Sequence, residues 1–378
     1  MTRYLGDAGD PHGRLPAIGL LLSNLGTPQA PTARALRPYL REFLSDPRVI
    51  ELPRLVWLAI LNGIVLVVRP RRSAALYRKV WTPEGSPLLT LSRRQAEGIA
   101  ARLAGETAVP VRVALGMRYG EPSIARALDE LAAAGCRKVL VLPLYPQYSA
   151  TTSGSTFDAA FAALGRRRWV PDLRTIGTYH DEPGYVAALA ASIAELWGRE
   201  GEPERLLLSF HGMPKRYLLA GDPYYCFCQK TARLVVERLG FEPARALVTF
   251  QSRFGSEEWL QPYTDETLAA LPKQGVRRVD VVCPGFSADC LETLEEIDGL
   301  NREIFLHAGG ERFRYVPCLN DRGDHLDFLA GLAARNLAGW SAPPAEGGDP
   351  AADAERSKAR ALALGAPAFG GAGAHPKG

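Results

Sequence analysis

The segment Leu206–Pro214, LLLSFHGMP, is the stretch from which the fold can be predicted. Three leucines after the polar Arg205 predict a short buried strand, and the Gly-x-Pro that follows predicts a turn at its end. His211 therefore lies just beyond the carboxyl end of a predicted central strand. Ligands of open α/β sheets bind at that edge, so His211 is the first candidate for a functional residue.

The same pattern occurs earlier in the chain. Leu20–Pro28 reads LLLSNLGTP and matches at six of nine positions, with Leu25 in the place of His211. A second pair of stretches, Val113–Gly120 (VALGMRYG) and Val248–Gly255 (VTFQSRFG), shares an Arg-aromatic-Gly ending. These correspondences predict an α/β protein with two related lobes, each a parallel sheet flanked by helices. Of the two matching strand tips, only the second carries an ionisable side chain.

The chain divides into four predicted segments. Its 378 residues suffice for two lobes and a large core. We expect a flexible leader over 1–16, a first lobe over 17–190 and a second lobe over 191–340. Residues 341–378 are rich in Ala, Gly and Pro without any period, which is typical of a disordered tail.

The first lobe contains an insertion with an unusual composition. Leu55–Val68 (LVWLAILNGIVLVV) is broken only by Asn62 and Gly63 and is followed by three arginines within four residues. It is shorter than the roughly 20 apolar residues that a spanning helix needs. From the residues alone, a buried core helix and an exposed apolar lip on a pocket or membrane surface are equally good interpretations.

Composition excludes several classes of function. Apolar residues make up 47% and charged residues 23%, and the net charge of +4 is too small to indicate nucleic acid. Glycine-rich phosphate-binding signatures are absent from the sequence, which argues against a nucleotide. The acidic start is unlike a signal peptide, and the six cysteines have no disulfide-framework spacing, so we expect a cytoplasmic protein.

One acidic cluster could face His211. It follows a predicted second-lobe strand, and in a helix Asp289, Glu292 and Glu296 would share a face. Such a histidine and carboxylates could bind a divalent metal, move protons, or both. Alternatively, Asp289 and Glu292 could form a capping box with a purely structural role. Cys226 and Cys228 have no second pair at a suitable distance, so we interpret them as structural thiols.

Six motifs, in order, resemble the ferrochelatase family: SNLGTP, GMRYGEPS, LPLYPQYS, SFHGMP, GDPYY and CLETLEEID. The resemblance extends from about Ala17 to Leu337. It implies two Rossmann-like lobes around a porphyrin cleft, and an ATP-independent lyase that inserts Fe²⁺, a substrate, into protoporphyrin IX. It also implies that no NAD is bound, despite the topology.

The resemblance assigns roles to individual residues. His211 matches the family's cleft histidine, and Glu292 matches the acid that faces it across the porphyrin; these two are the expected metal contacts. Glu296 and Asp289 match acids that continue from Glu292 as a path for protons or metal. Residues expected to line the cleft, form its walls or hold the propionates are Leu25, Arg71, Arg72, Tyr77, Ser86, Arg118, Tyr119 and Trp259. Leu55–Val68 matches the lip over the cleft mouth, which favours a protein peripheral to a membrane.

Two departures from the family pattern bear on function. Cys290 stands where animal members have a histidine, and the C-terminal cysteines that bind an iron–sulfur cluster in some members are missing. We therefore expect no such cluster and no required cofactor. The alternatives are a coproporphyrin ferrochelatase or another tetrapyrrole chelatase, and a non-catalytic tetrapyrrole carrier. The apolar lip favours the vinyl-bearing protoporphyrin, and the acidic cluster argues against a carrier.

Overall fold

Two parallel sheets of four strands each form the frame of the protein in the computed structural model, which describes residues 4–6, 13, 15, 17–107, 109–341 and 349–365. The strands are β1 (Ala17–Gly26), β2 (Val111–Tyr119), β3 (Cys136–Pro143), β4 (Asp172–Thr175), β5 (Arg205–His211), β6 (Ala246–Gln251), β7 (Arg278–Val282) and β8 (Arg312–Val316). The first sheet has the order β2-β1-β3-β4 and the second has the order β6-β5-β7-β8. The strand order is the same in both lobes, which confirms the predicted fold class and the internal repeat.

Helices cover both sheets. They are α1 (Ala33–Leu44), α2 (Arg54–Ile60), α3 (Leu66–Val80), α4 (Pro87–Leu103), α5 (Ile124–Ala133), α6 (Ser155–Leu164), α7 (Pro183–Glu200), α8 (Lys215–Leu219), α9 (Tyr224–Leu239), α10 (Thr264–Ala270), α11 (Arg302–His307), α12 (Gly323–Asn336) and α13 (Pro350–Ala363). Segments of π-helix occupy Leu61–Val65, Ala150–Gly154 and Glu292–Asn301. Short 3₁₀ turns lie at Pro243–Arg245 and Leu271–Gln274.

The leucine triplets form the centre of each sheet. Leu20 to Leu22 in β1 and Leu206 to Leu208 in β5 are all fully buried, because helices cover both faces of a parallel sheet. Leu22 lies opposite Leu115, and its counterpart Leu208 lies opposite Val248. The edge strands β4 and β8 were not predicted from sequence, because charged and partly exposed residues interrupt their apolar pattern.

The lobes share one continuous core. Leu20, Leu189, Leu208 and Leu329, from β1, α7, β5 and α12, belong to the same buried cluster. Helix α7 (Pro183–Glu200) runs through the boundary expected at 190 and packs against α9 of the second lobe. The two lobes are therefore joined firmly behind the strand tips.

Both chain ends depart in part from the predicted disorder. Leu5, in the expected flexible leader, is bonded to Arg166 and Arg168 through backbone N–H and carbonyl groups, at 2.7 and 2.8 Å. In the expected disordered tail, α13 occupies Pro350–Ala363 and Asp349 caps its first turn. The rest of both segments, including 342–348 and 366–378, lies outside the described residues.

The apolar insertion forms one continuous helical run in the first lobe. Helix α2 passes through the π-helical turn Leu61–Val65 into α3, which contains Pro70. Proline has no N–H, so the carbonyl of Leu66 loses its normal helical partner. The Arg37 side chain of α1 donates to that carbonyl at 3.1 Å. The insertion is thus tied to α1 at the point where its helix would otherwise be weakest.

Candidate functional site

His211 is placed and oriented by the end of β5. The next residue, Gly212, passes so close to β6 that a Cβ there would lie 2.7 Å from the carbonyl oxygen of Gln251. The Nδ1 atom of His211 lies 2.6 Å from the Gly212 carbonyl oxygen. A carbonyl only accepts hydrogen bonds, so Nδ1 carries the proton and the Nε2 lone pair is free.

Glu292 and Glu296 lie on a π-helix, where we expected an α-helix. The wider turn spans Glu292–Asn301, and π-helical segments often occur at functional sites. Burial raises the pKa of Glu296 above the ordinary glutamate value. The hydrogen bond from Ser252 and the charge of His211 oppose this rise, whereas the charge of Glu292 adds to it. The structure therefore brings His211, Glu292 and Glu296 into one electrostatic cluster.

Asp289 is not part of a continuous acid face. One carboxylate oxygen accepts from the hydroxyls of Thr293 and Tyr315, at 3.0 and 2.6 Å, and the other accepts from the Asn320 amide at 2.7 Å. These partners fix Asp289 to β8 and to the start of the π-helix. The expected relay through Asp289 has no support in these contacts. In place of the capping box expected from Asp289 and Glu292, the Thr293 hydroxyl accepts a hydrogen bond from the backbone N–H of Cys290.

Gln251 and Ser252, at the end of β6, are contacts of the acids that the sequence did not reveal. The Gln251 side chain donates to the Glu292 carbonyl at 3.1 Å and accepts from Ser209 at 2.8 Å. Ser252 donates to Glu296 through both its backbone N–H and its hydroxyl. Their only signal in the sequence was their position at a strand end.

An apolar wall with residues from both lobes adjoins the acids. Leu25, at the position equivalent to His211, packs against a small buried cluster that includes Leu88 and Cys290. Burial raises the pKa of the Cys290 thiol, and the charge of Glu292 raises it further. Cys290 is therefore a neutral, apolar part of this wall.

Tyr77, on α3, and Ser86, at the start of α4, belong to the first lobe. Burial raises the pKa of Tyr77, and the charge of Glu292 raises it further, so the phenol remains a hydrogen-bond donor. Ser86 accepts a hydrogen bond from Thr27 at 2.8 Å. Both residues are buried. Tyr77 and the acid cluster, from different lobes, therefore interact across the cleft.

Arg69 is exposed, as Arg71 and Arg72 are, and its guanidinium interacts with the charge of Glu292. Partial burial lowers the pKa of this guanidinium, and the charge of Glu292 is among the groups that oppose this. Its Cζ lies 5.8 Å from the ring centroid of Phe254 in the second lobe. Arg71 and Arg72, the pair expected at the site, are exposed and form no ion pair within the described part of the chain. The sequence signal was the presence of three arginines within four residues. Only their positions around the helix distinguish Arg69 from Arg71 and Arg72.

Arg118 and Tyr119 form a separate charged cluster. The guanidinium of Arg118 pairs with Asp46 and donates to the Ser155 hydroxyl at 2.6 Å. Tyr119 donates to the same Asp46 carboxylate at 2.8 Å. Burial would raise the pKa of Asp46, but hydrogen bonds from the Ser155 hydroxyl, the Arg48 backbone N–H and Tyr119, together with the charge of Arg118, outweigh it and lower the pKa. Because Asp46 already balances its charge, Arg118 is a weaker candidate for a propionate ligand than Arg69.

Trp259 forms a wall of the second lobe. It pairs with Pro214, three residues after His211, and packs edge-on against Phe254 with ring centroids 4.9 Å apart. A pocket of about 590 Å³ opens beside it, between Arg253 and Tyr263. The segment after His211 thus holds this wall in place.

The apolar lip is mostly exposed. Leu55, Val56 and Ile64 expose 85%, 59% and 62% of their surface. Trp57, within the lip, packs inward and donates to the Leu44 carbonyl at 2.6 Å. Within the described residues, no helix has the length and apolar character required to cross a bilayer.

The described part of the chain offers few side-chain groups for binding a metal ion or for thiol chemistry. It contains no group of three or more His, Cys, Asp or Glu side chains arranged to hold a metal ion. All six cysteines are unpaired, and Cys226 is exposed whereas Cys228 is buried. Iron is the substrate that the family resemblance implies, and His211, Glu292 and Glu296 are the groups at the cleft that could contact it.

Comparison with known proteins identifies the family. A model described as Ferrochelatase matches residues 17–337. A ferrochelatase of Thioalkalivibrio sulfidiphilus is 58% identical over 368 residues, which are 96% of this chain and 99% of that protein. A ferrochelatase of Nitrosococcus oceani is 55% identical over 357 residues, 94% of this chain and 97% of its own. Among solved structures, SirB from Bacillus subtilis with Fe³⁺ has a TM-score of 0.51 at 13% identity, covering 86% of this chain and 96% of its own, which shows a shared fold alone.

Proposed function

The chain belongs to the ferrochelatase family, and from that premise we propose how its cleft carries out the reaction. The enzyme is a metal chelatase of the lyase class that inserts Fe²⁺ into protoporphyrin IX in haem synthesis. Each turnover binds one Fe²⁺ to four pyrrole nitrogens and releases two protons. Side chains near the macrocycle must therefore accept protons and admit a cation.

His211 accepts the first pyrrole proton at Nε2. The single observation that carries this role is its hydrogen bond to the Gly212 carbonyl, which fixes the proton on Nδ1 and leaves the Nε2 lone pair free. A neutral imidazole with a free ring nitrogen can accept a proton as a general base. A proton accepted at Nε2 gives an imidazolium, which the neighbouring carboxylates stabilise.

Glu292 and Glu296 act on the metal and on the second proton. Glu292 offers the carboxylate that meets Fe²⁺, and Glu296 accepts the second pyrrole proton that the metal displaces. The raised pKa of Glu296 makes its carboxylate a better proton acceptor than an ordinary glutamate. Asp289, bound by Tyr315 and Asn320, has a structural role.

The walls hold and bend the porphyrin. Leu25 and Trp259 lie beside the two strand tips, and contact with two apolar walls can strain the ring so that its nitrogens turn toward the metal. Arg69, at the cleft mouth, binds a propionate. Arginine presents two parallel donors to a carboxylate, which suits this contact.

The lip binds a membrane surface, where an apolar porphyrin partitions. Exposed Leu55, Val56 and Ile64 support this proposal, since an exposed apolar patch flanked by arginines suits the interface. We place the enzyme in the cytoplasm at that surface. We also propose that no iron–sulfur cluster is needed, because the six cysteines are spread over β3, α9, the end of β7, the segment before Glu292 and the end of β8. Analysis of iron and sulfide in anaerobically purified protein tests this last point.

Anaerobic metallation of protoporphyrin IX by Fe²⁺ or Zn²⁺, followed by absorbance, tests the mechanism. We expect Glu292→Gln to reduce kcat by about 10²-fold or more and to leave the melting temperature unchanged. If Glu292 served only as a helix cap, the variant would keep its activity and lose about 1 kcal/mol of stability. Lys79→Gln, which breaks the exposed ion pair with Glu295 on the same π-helix, is the control.

A further inference from the structure

Ser252 has a backbone conformation that its side chain disfavours. Among the described residues other than glycine, only Ser252 and Asn320 have positive φ, at 66° and 48°. A Cβ in the left-handed region clashes with the backbone, so such residues persist where surrounding contacts hold them, often at functional sites. In this protein each of the two strained residues binds one carboxylate of the acidic segment, Asn320 that of Asp289 and Ser252 that of Glu296.

Ser252 holds both oxygens of the Glu296 carboxylate. Its backbone N–H donates to Oε1 at 2.7 Å, and its hydroxyl donates to Oε2 at 2.5 Å. Ser252 directly follows Gln251, the last residue of β6, and its N–H bonds to this side chain and not to a neighbouring strand. Two donors on two oxygens fix both the position of the carboxylate and its rotation about its last bond.

The π-helix does not depend on Ser252 for its attachment to β6. Gln251 donates to the Glu292 carbonyl at 3.1 Å and so joins the backbone of the π-helix to β6. Ser252 holds only the side chain of Glu296. The Ser252 hydroxyl can therefore be removed with the helix still anchored.

We propose that Ser252 is a positioning residue for metal insertion, which aims the Glu296 carboxylate at the pyrrole proton that this side chain accepts. The inference rests on the proposed role of Glu296. A carboxylate free to rotate would spend less time in the orientation that receives a proton, and proton transfer depends steeply on distance and alignment. Loss of the hydroxyl should thus slow the chemical step and leave porphyrin binding intact.

Two variants separate this role from backbone strain. Ser252→Ala and Ser252→Gly both remove the hydroxyl, but only glycine adopts positive φ without strain. We expect kcat to fall roughly tenfold in both, with the KM for protoporphyrin within about twofold of the wild type. The melting temperature of Ser252→Gly should equal or exceed that of Ser252→Ala. Equal activity of either variant and the wild type would overturn the proposal, and so would an activity loss that followed the melting temperature.

A double-mutant cycle with Glu296→Gln distinguishes failure of this inference from failure of the proposed function. If Ser252 acts through Glu296, Ser252→Gly should cause no further loss of kcat in the Glu296→Gln background. If the serine variant has the same effect in both backgrounds, Ser252 acts independently and the inference is wrong. If Glu296→Gln alone keeps wild-type kcat, the proposed role of Glu296 is wrong, and the inference falls with it.

Discussion

Leu25 and His211 occupy corresponding positions at the carboxyl ends of the central strands β1 and β5. One is an apolar wall residue and the other carries the free imidazole lone pair. Because the first lobe folds with leucine at this place, the second lobe does not need histidine for its fold. The difference between the two repeats is therefore a difference of function.

The repeat suggests His211→Leu as the substitution that tests the general base. We expect kcat for Zn²⁺ insertion into protoporphyrin IX to fall by about 10²- to 10⁴-fold, as loss of a general base typically does. The melting temperature should stay within a few degrees of the wild type, because only one hydrogen bond to Gly212 is lost. His307→Leu on the exposed helix α11 is the control, and we expect it to keep full activity. A folded His211→Leu protein with wild-type kcat would exclude the proposed base.

Asp289→Asn should affect stability and not the chemical step. The amide would direct N–H donors at Asn320 or Tyr315, which are themselves donors, so buried groups would lose their partners. We expect a loss of about 2 kcal/mol or more in the free energy of unfolding. Denaturation in urea measures this loss, and kcat below the melting transition should stay within about threefold of the wild type. A large fall in kcat at unchanged stability would instead support the relay implied by the family resemblance.

The strands that position the site could be predicted from the sequence better than the contacts between its side chains. The repeat around His211 predicted the strand, its position and the lobe duplication, because buried parallel strands are continuous apolar runs. The acid face was predicted from a 3.6-residue period, and the π-helix at Glu292–Asn301 changes which side chains share a face. Asp289 precedes this helix and is bound by Tyr315 and Asn320, so the period of the helix does not determine its surroundings. Hydrogen-bond partners distant in sequence, such as Ser252, cannot be found from periodicity.

Arg69 on helix α3 is a second example of a residue whose surroundings cannot be predicted from the sequence. Arg69, Arg71 and Arg72 are chemically identical, and only the direction of each side chain from α3 decides which of them enters the cleft. We expect Arg69→Gln to raise the KM for protoporphyrin about tenfold, because one charge-assisted contact to a propionate is lost. Arg71→Gln should leave KM unchanged. The two KM values, measured with Zn²⁺ at constant ionic strength, check the assignment, and the reverse result would favour the pair implied by the resemblance.

His325 predicts how stability changes with pH. Burial lowers its pKa from the ordinary value to about 4, and its Nδ1 lies 2.9 Å from the Asn320 carbonyl oxygen. The unfolded chain therefore binds this proton more tightly, so the stability from neutral His325 is full above about pH 6.5 and is lost as the pH falls toward 4. The loss is roughly 3 kcal/mol over that range. The free energy of unfolding, measured by urea denaturation between these pH values, should change less with pH for His325→Gln than for the wild type. His307→Gln, at an exposed histidine, is the control and should match the wild type.

The exposed lip predicts binding to a membrane surface. Leu55 and Ile64 expose 85% and 62% of their surface, and the described residues include no helix able to span a bilayer. Replacing both with glutamate removes apolar area from the interface and adds negative charge, so each change opposes insertion beside anionic headgroups. We expect the double variant to stay in the supernatant when vesicles of phosphatidylcholine and phosphatidylglycerol are sedimented, while the wild type sediments in part and is released by high salt.

Leu219→Glu, at a residue 77% exposed on α8, is the matched control and should sediment like the wild type. Because Trp57 packs inward on Leu44, its replacement would test folding and not membrane contact. Equal sedimentation of the double variant and the wild type would show that the lip does not bind membranes, and its exposed surface would then serve only the cleft mouth.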